Sequence, residues 1–183
     1  MSSRILLTNE ILNNIDSKEY KGITLSKSYQ KNTINYYFLP TIGIQLFDAK
    51  VTWIDPLKKH ISFSFYKYPE LSGNHYPGSL NFIKKCYETL TNIYKNYEYD
   101  NRDAEIAPFF HENGDYYYIR CYLPKSKYFY NIISEFEDEK ESIFNIPQTE
   151  TIYKNITIEF RNIWEDTVKS KRGFNIELKH VRI

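Results

Sequence analysis

A chain of 183 residues is long enough for one domain to bury its own core without disulfides or a structural metal, and residues 1–183 read as a single domain. Its 24 basic and 23 acidic side chains leave a formal charge of +1, which excludes a strong whole-molecule field aimed at a polyanion. Cys86 and Cys121 belong to no CxxC or Cys/His cluster, and no stretch is apolar enough for a signal-peptide core or a membrane span; the expectation is a reducing, intracellular compartment, the cytoplasm or nucleus of a host cell.

In chain order, residues from about Asn9 to Asp16 suit a short helix. Three strand-like runs follow, at 33–39, 43–54 and 60–68, rich in β-branched and aromatic residues. Asp55-Pro56 to Lys59 supplies the turn before the third, because proline fixes φ and ends a ladder. The segment YPELSGNHYPGS reads as a loop. From Ser79 to Tyr97 the period changes: Phe82, Ile83, Cys86, Tyr87, Leu90, Ile93 and Tyr94 fall at three- and four-residue spacing, with Ser79 placed as N-cap. Asn113-Gly114 predicts a hairpin leading into the run Tyr116 to Tyr122. A second short helix is expected over Lys127 to Phe136, with Tyr130 and Ile133 on its packed side.

The last third alternates. Ile156, Ile158 and Phe160 make a buried face against a wet one of Asn155, Thr157, Glu159 and Arg161. Phe174, Ile176 and Leu178 do the same in the partner strand, and EDTVKSKRG between them forms a hairpin loop carrying Lys169, Lys171 and Arg172. The fold class is therefore mainly β (α+β): an OB-like antiparallel β-barrel elaborated with one long helix and one or two short ones. A less familiar α+β sheet fits the same order of elements.

The chain offers no recognisable catalytic signature. His60, His75, His111 and His180 are scattered, and there is no Gly-rich phosphate loop or nucleophile elbow, so neither a metal nor another cofactor is expected. Cys121 with His111 as a nucleophile pair, or acids such as Asp100 with Asp103 and Glu112 with Asp115 as nuclease ligands, are outweighed by an inert core thiol and solvated loop charge.

What the chain does hold is 18 tyrosines and 12 phenylalanines, several alternating with basic residues. Single-stranded nucleic acid needs that combination, since rings stack on bases at about 1–3 kcal/mol each while Lys and Arg neutralise phosphates. In GDYYYIRCY, Tyr116, Tyr118, Arg120 and Tyr122 share one strand face, and Tyr117, Ile119 and Cys121 share the other, which reads as core. A second candidate surface joins Lys50, Trp53, Lys58, Lys59, Tyr66, Lys67 and Tyr68. The third is the closing hairpin, with Arg161, Trp164, Lys169, Lys171 and Arg172. Any single tyrosine is better explained by packing with its hydroxyl in water, and Trp164 equally well by a core plug.

Two stretches, GDYYYIRCYLPKSKYFYNII at 114–133 and IYKNITIEFRNIW with GFNIELKHVRI, resemble single-stranded DNA-binding proteins of poxviruses and related large DNA viruses over about a third of the chain. The Asn-, Ile-, Lys- and Tyr-rich composition also suits an AT-rich genome of that kind. The resemblance implies an OB-type fold, non-sequence-specific binding of single strands, and a role in DNA replication, recombination or repair. Many such proteins end in an acidic tail, whereas this chain ends HVRI, so the acidic run 135–141 is the segment left to meet a protein partner. Single-stranded DNA or RNA is the expected ligand, homo-oligomers stay open, and no membrane is expected. A viral or plasmid-type protein-interaction domain with a tyrosine-rich surface and a small metal-dependent nuclease are the alternatives.

Overall fold

The computed structural model describes residues 5–14, 26–57, 59–68, 79–95, 97, 99, 103–136, 139–142 and 148–182. Most of the loop expected at 68–79, Lys58, Asp100 and two acids of the acidic run, Glu137 and Asp138, lie outside them. The elements are β1 (Ile5–Leu6), α1 (Asn9–Asn14), β2 (Ser26–Lys31), β3 (Ile34–Ile54), β4 (His60–Tyr66), α2 (Leu80–Tyr94), β5 (Ile106–Ala107), β6 (Phe110–Asn113), β7 (Tyr116–Tyr122), β8 (Ile133–Phe136), β9 (Glu139–Ser142), β10 (Ile152–Asp166) and β11 (Lys171–Arg182).

Five of these strands close a barrel. β4 pairs antiparallel with β3 on one side and β7 on the other. β10 pairs antiparallel with β3 and with β11. β11 then meets β7 in parallel at Glu177 and Tyr122, which completes the ring. Taken in chain order the barrel strands run first, second, third, fifth, fourth around the wall, a Greek-key closure of the OB type. The mainly β, OB-like barrel with a long and a short helix is thus what the chain forms.

The barrel interior follows from period-two alternation. Ile44, Leu46, Val51, Ile61, Phe63, Ile119, Ile156, Ile158 and Leu178 are all fully buried. α2 forms where the period changed. Ser79 Oγ accepts from the Phe82 amide at 3.2 Å, and Leu80, Phe82, Ile83, Cys86, Leu90 and Tyr94 turn into the core.

Three expectations are corrected. The two runs at 33–39 and 43–54 are one 21-residue strand. Its register against β10 slips between Phe38, opposite Asn162, and Ile42, opposite Phe160, and Pro40 falls within that slip, where a missing N–H costs no ladder bond. The short helix expected at 127–136 does not form. Ser126 Oγ instead accepts from the Phe129 amide and donates to its carbonyl, a local alternative to helix bonding. β8 then runs parallel to β11, and burial alternates, with Tyr130, Ile132 and Ser134 in and Ile133 43 % exposed. Finally, the face of β10 read as wet is mostly covered: Asn155, Thr157 and Glu159 are buried and Arg161 alone of the four is exposed.

Gly43 marks a close approach of β3 to β10. A Cβ there would lie 2.9 Å from the Ile158 carbonyl oxygen, and backbone cannot step aside cheaply. Gly43→Ala is expected to lower stability by about 1–3 kcal/mol, read as an earlier midpoint in urea with an unchanged slope.

Candidate nucleic-acid interface

β7 splits as its alternation predicts. Tyr117, Ile119 and Cys121 have no exposure, whereas Tyr116 and Tyr122 are 46 % and 41 % exposed, and Arg120 is also exposed. The hairpin before it turns on Gly114-Asp115, one residue later than expected, with positive φ only at Gly114 (56°). That slip leaves the faces unchanged because partners move by two positions.

Register then assembles four successive outward rows along β7. Tyr66 lies opposite Tyr116, with centroids 5.7 Å apart, edge to face. Tyr118 has Ser64 and Lys50 on one side and His111 on the other, and its ring stacks on His111 at 5.0 Å. Arg120 and Trp53 flank Ser62, and the guanidinium sits 4.9 Å over the indole, a cation–π contact. Tyr122 lies opposite His60, with centroids 4.3 Å apart. The first and second candidate surfaces are therefore one face, shared by β3, β4, β6 and β7.

His60 and His111 also belong to this face; the phase of the hairpin places His111 there, and only the register of β4 places His60. Burial first and the Arg120 charge second hold the His60 imidazole below its ordinary 6.5, against the pull of Asp55 at 3.5 Å. The depressed value means protonation favours the unfolded chain, so this contribution to stability is lost as pH falls below the ordinary value. An NMR titration of His60 is expected to show a midpoint under 6.5 that moves upward in Arg120→Met, which removes the second cause.

The third surface joins the first at its Tyr122 end. Tyr122, Tyr36, Trp164, Asn175, Lys169 and Lys171, with Ile34 and Asp166, line a hollow of about 350 Å³. Trp164 is half-buried, neither a core plug nor a free ring. Its indole lies against Gly173, where a Cβ would be 2.9 Å from the ring. The turn between β10 and β11 is tighter than expected, at Thr167–Ser170, so Lys171 and Arg172 are strand residues. Lys171 is exposed and pairs across the strands with Asp166.

Two residues singled out for this role are not brought to the face. Arg172 has the inward phase of Phe174 and Ile176 and is 3 % exposed. Its guanidinium binds Glu165 Oε1 at 2.8 Å, donates to the Ala104 carbonyl, and lies 3.5 Å over the Tyr99 ring. Lys67 is turned to the α2 side, where it and Lys84 clamp Glu112 at 3.0 and 2.9 Å and hold its carboxyl below the usual range.

Cys121 points into the barrel while His111 stacks outside it, so they lie on opposite sides of the sheet. Burial pushes both cysteine thiols well up from their ordinary value. Among the described residues no three His, Cys, Asp or Glu side chains gather as metal ligands, and no helix is long and apolar enough to cross a membrane. Of the acidic run, Glu135 meets His180 at 3.3 Å, and β8 and β9 form a hairpin beside β11. No protein-family model matches the chain, and no curated protein matches it.

Proposed function

We propose that the chain is a non-sequence-specific single-stranded DNA-binding protein, working by ring stacking and phosphate neutralisation and serving DNA replication, recombination or repair. The observation that carries the reading is the set of four outward rows along β7, each presenting an aromatic ring with a second ring or a guanidinium beside it. Rows recur every second residue, about 7 Å apart. Nucleotides in a stacked strand are about 3.4 Å apart, so one base per row requires a strand drawn out and unstacked. A duplex cannot offer that.

Fold-level analogy adds weight. OB-type barrels bind oligonucleotides on their second and third strands and on the loops after the first and fourth. In this chain those strands are β4 and β7, and those loops are the turn following β3 and the turn Thr167–Ser170.

A protein partner is the second reading. It is favoured by the engagement of basic groups within the face itself, Arg120 by Trp53 and Lys50 by Glu150 at 2.6 Å, which leaves the surface more aromatic than basic. A tryptophan-fluorescence titration with a labelled single strand of about thirty nucleotides and with the matching duplex, at low and moderate salt, separates them. Tighter, salt-sensitive binding of the single strand with quenching is the expected result. Absence of binding to either at micromolar protein would hand the face to a protein partner.

A further inference from the structure

The hollow beside Tyr122 differs from the open face it adjoins. Three rings border it, Tyr36, Tyr122 and Trp164, with Ile34, an amide, Asn175, two lysines and one acid, Asp166, whose Oδ1 is taken up by the Val168 and Lys169 amides of the turn. Its volume of about 350 Å³ leaves room for a nucleobase. Trp164 cannot swing back against the wall, because it already rests on the Gly173 backbone. Asn175 is oriented by donating to Asn162 Oδ1 at 2.8 Å, which leaves its own carbonyl oxygen to accept from a base edge. Lys171 has no ion pair among the described residues, and Lys169 has only a loose one, 4.0 Å from Asp166. Thus the rings hold a flat group while the cations wait at the turn.

We infer that this hollow is a mononucleotide pocket: it takes one base turned out of the strand, stacked on Trp164, with that nucleotide's phosphate at Lys169 and Lys171. The inference rests on the single-strand reading and adds a site able to bind a free nucleoside monophosphate. The open rows, lacking walls, would hold a lone nucleotide far more weakly.

The chain's two tryptophans make the test clean, since one lies in each place. In Trp53→Phe the remaining emission comes from Trp164; in Trp164→Phe it comes from Trp53. A nucleoside 5′-monophosphate is titrated into the first variant, with inorganic phosphate as the control. The thirty-nucleotide strand is titrated into the second. Saturable quenching of Trp164 by the nucleotide but not by phosphate, weakened roughly two- to fivefold by adding Lys171→Ala, supports the pocket. Gly173→Ala, which displaces the indole from its seat, should abolish the response while circular dichroism stays unchanged. If the strand quenches Trp53 but millimolar nucleotide leaves Trp164 unaltered, or phosphate alone reproduces the effect, the pocket is wrong and the single-strand reading stands. If neither ligand quenches either tryptophan, both are wrong.

Discussion

Arg172→Ala is expected to lower folding stability by about 3–5 kcal/mol, more than any other change considered. The reason is what it strands. Glu165 is fully buried, and its carboxylate is held by Arg172 at 2.8 Å, by the Tyr37 hydroxyl at 2.8 Å and by the Asn35 amide at 3.3 Å. Removing the guanidinium takes a cationic partner from a carboxylate buried between β3, β10 and β11. It also removes a planar cation from the Tyr99 ring and a donor from the Ala104 carbonyl.

A double variant, Glu165→Leu with Arg172→Met, is expected to recover part of that loss, because apolar replacement of a buried pair is often neutral. Recovery stays incomplete: Asn35 and the Tyr37 hydroxyl each lose a hydrogen bond to the carboxylate, worth about 1–3 kcal/mol per bond. Adding Tyr37→Phe should return one such increment. Urea denaturation reads all four states. A loss below 1 kcal/mol for Arg172→Ala would mean that the pair is not buried as described. Lys171→Ala, one residue away and exposed, should stay within about 0.5 kcal/mol of the parent.

That contrast shows how far the residues alone could be read. Arg172 has the parity of Phe174, Ile176 and Leu178, so the alternation that identifies the strand also assigns it inward, against its expected place among the loop cations. The split of β7 into a core face and an outer face was legible for the same reason, because parity needs no partner strand. So was His111, whose phase opposite β7 is outward with the hairpin turning at either position. The pairing of Tyr122 with His60 and of Arg120 with Trp53 was not legible, since it depends on the register of β4 between β3 and β7. Nor was the continuity of β3. A proline usually ends a strand, and only the offset in the facing strand reveals a bulge that tolerates it. The helix expected at 127–136 failed because a few apolar residues in a short window fit both periods, and pairing with β11 decided between them.

Single-strand binding is where the outer face is expected to divide by chemistry. Trp53→Ala and Tyr122→Ala should each weaken binding by about 1–3 kcal/mol, the loss of one stacked base, with the dependence of log K on log salt unchanged. Arg120→Ala should weaken binding and also flatten that dependence by about 0.7 per lost phosphate contact. Arg120→Lys separates the residue's two duties. Lysine keeps the charge, so the slope survives, but it lacks the planar group that lies on the Trp53 ring, so affinity still falls. Lys67→Ala is the control: its ammonium is held by Glu112 away from the face, and neither affinity nor slope should move. Identical slopes for all five variants would mean that Arg120 meets no phosphate, and the arginine would then be a brace for the indole rather than part of the surface that holds the strand.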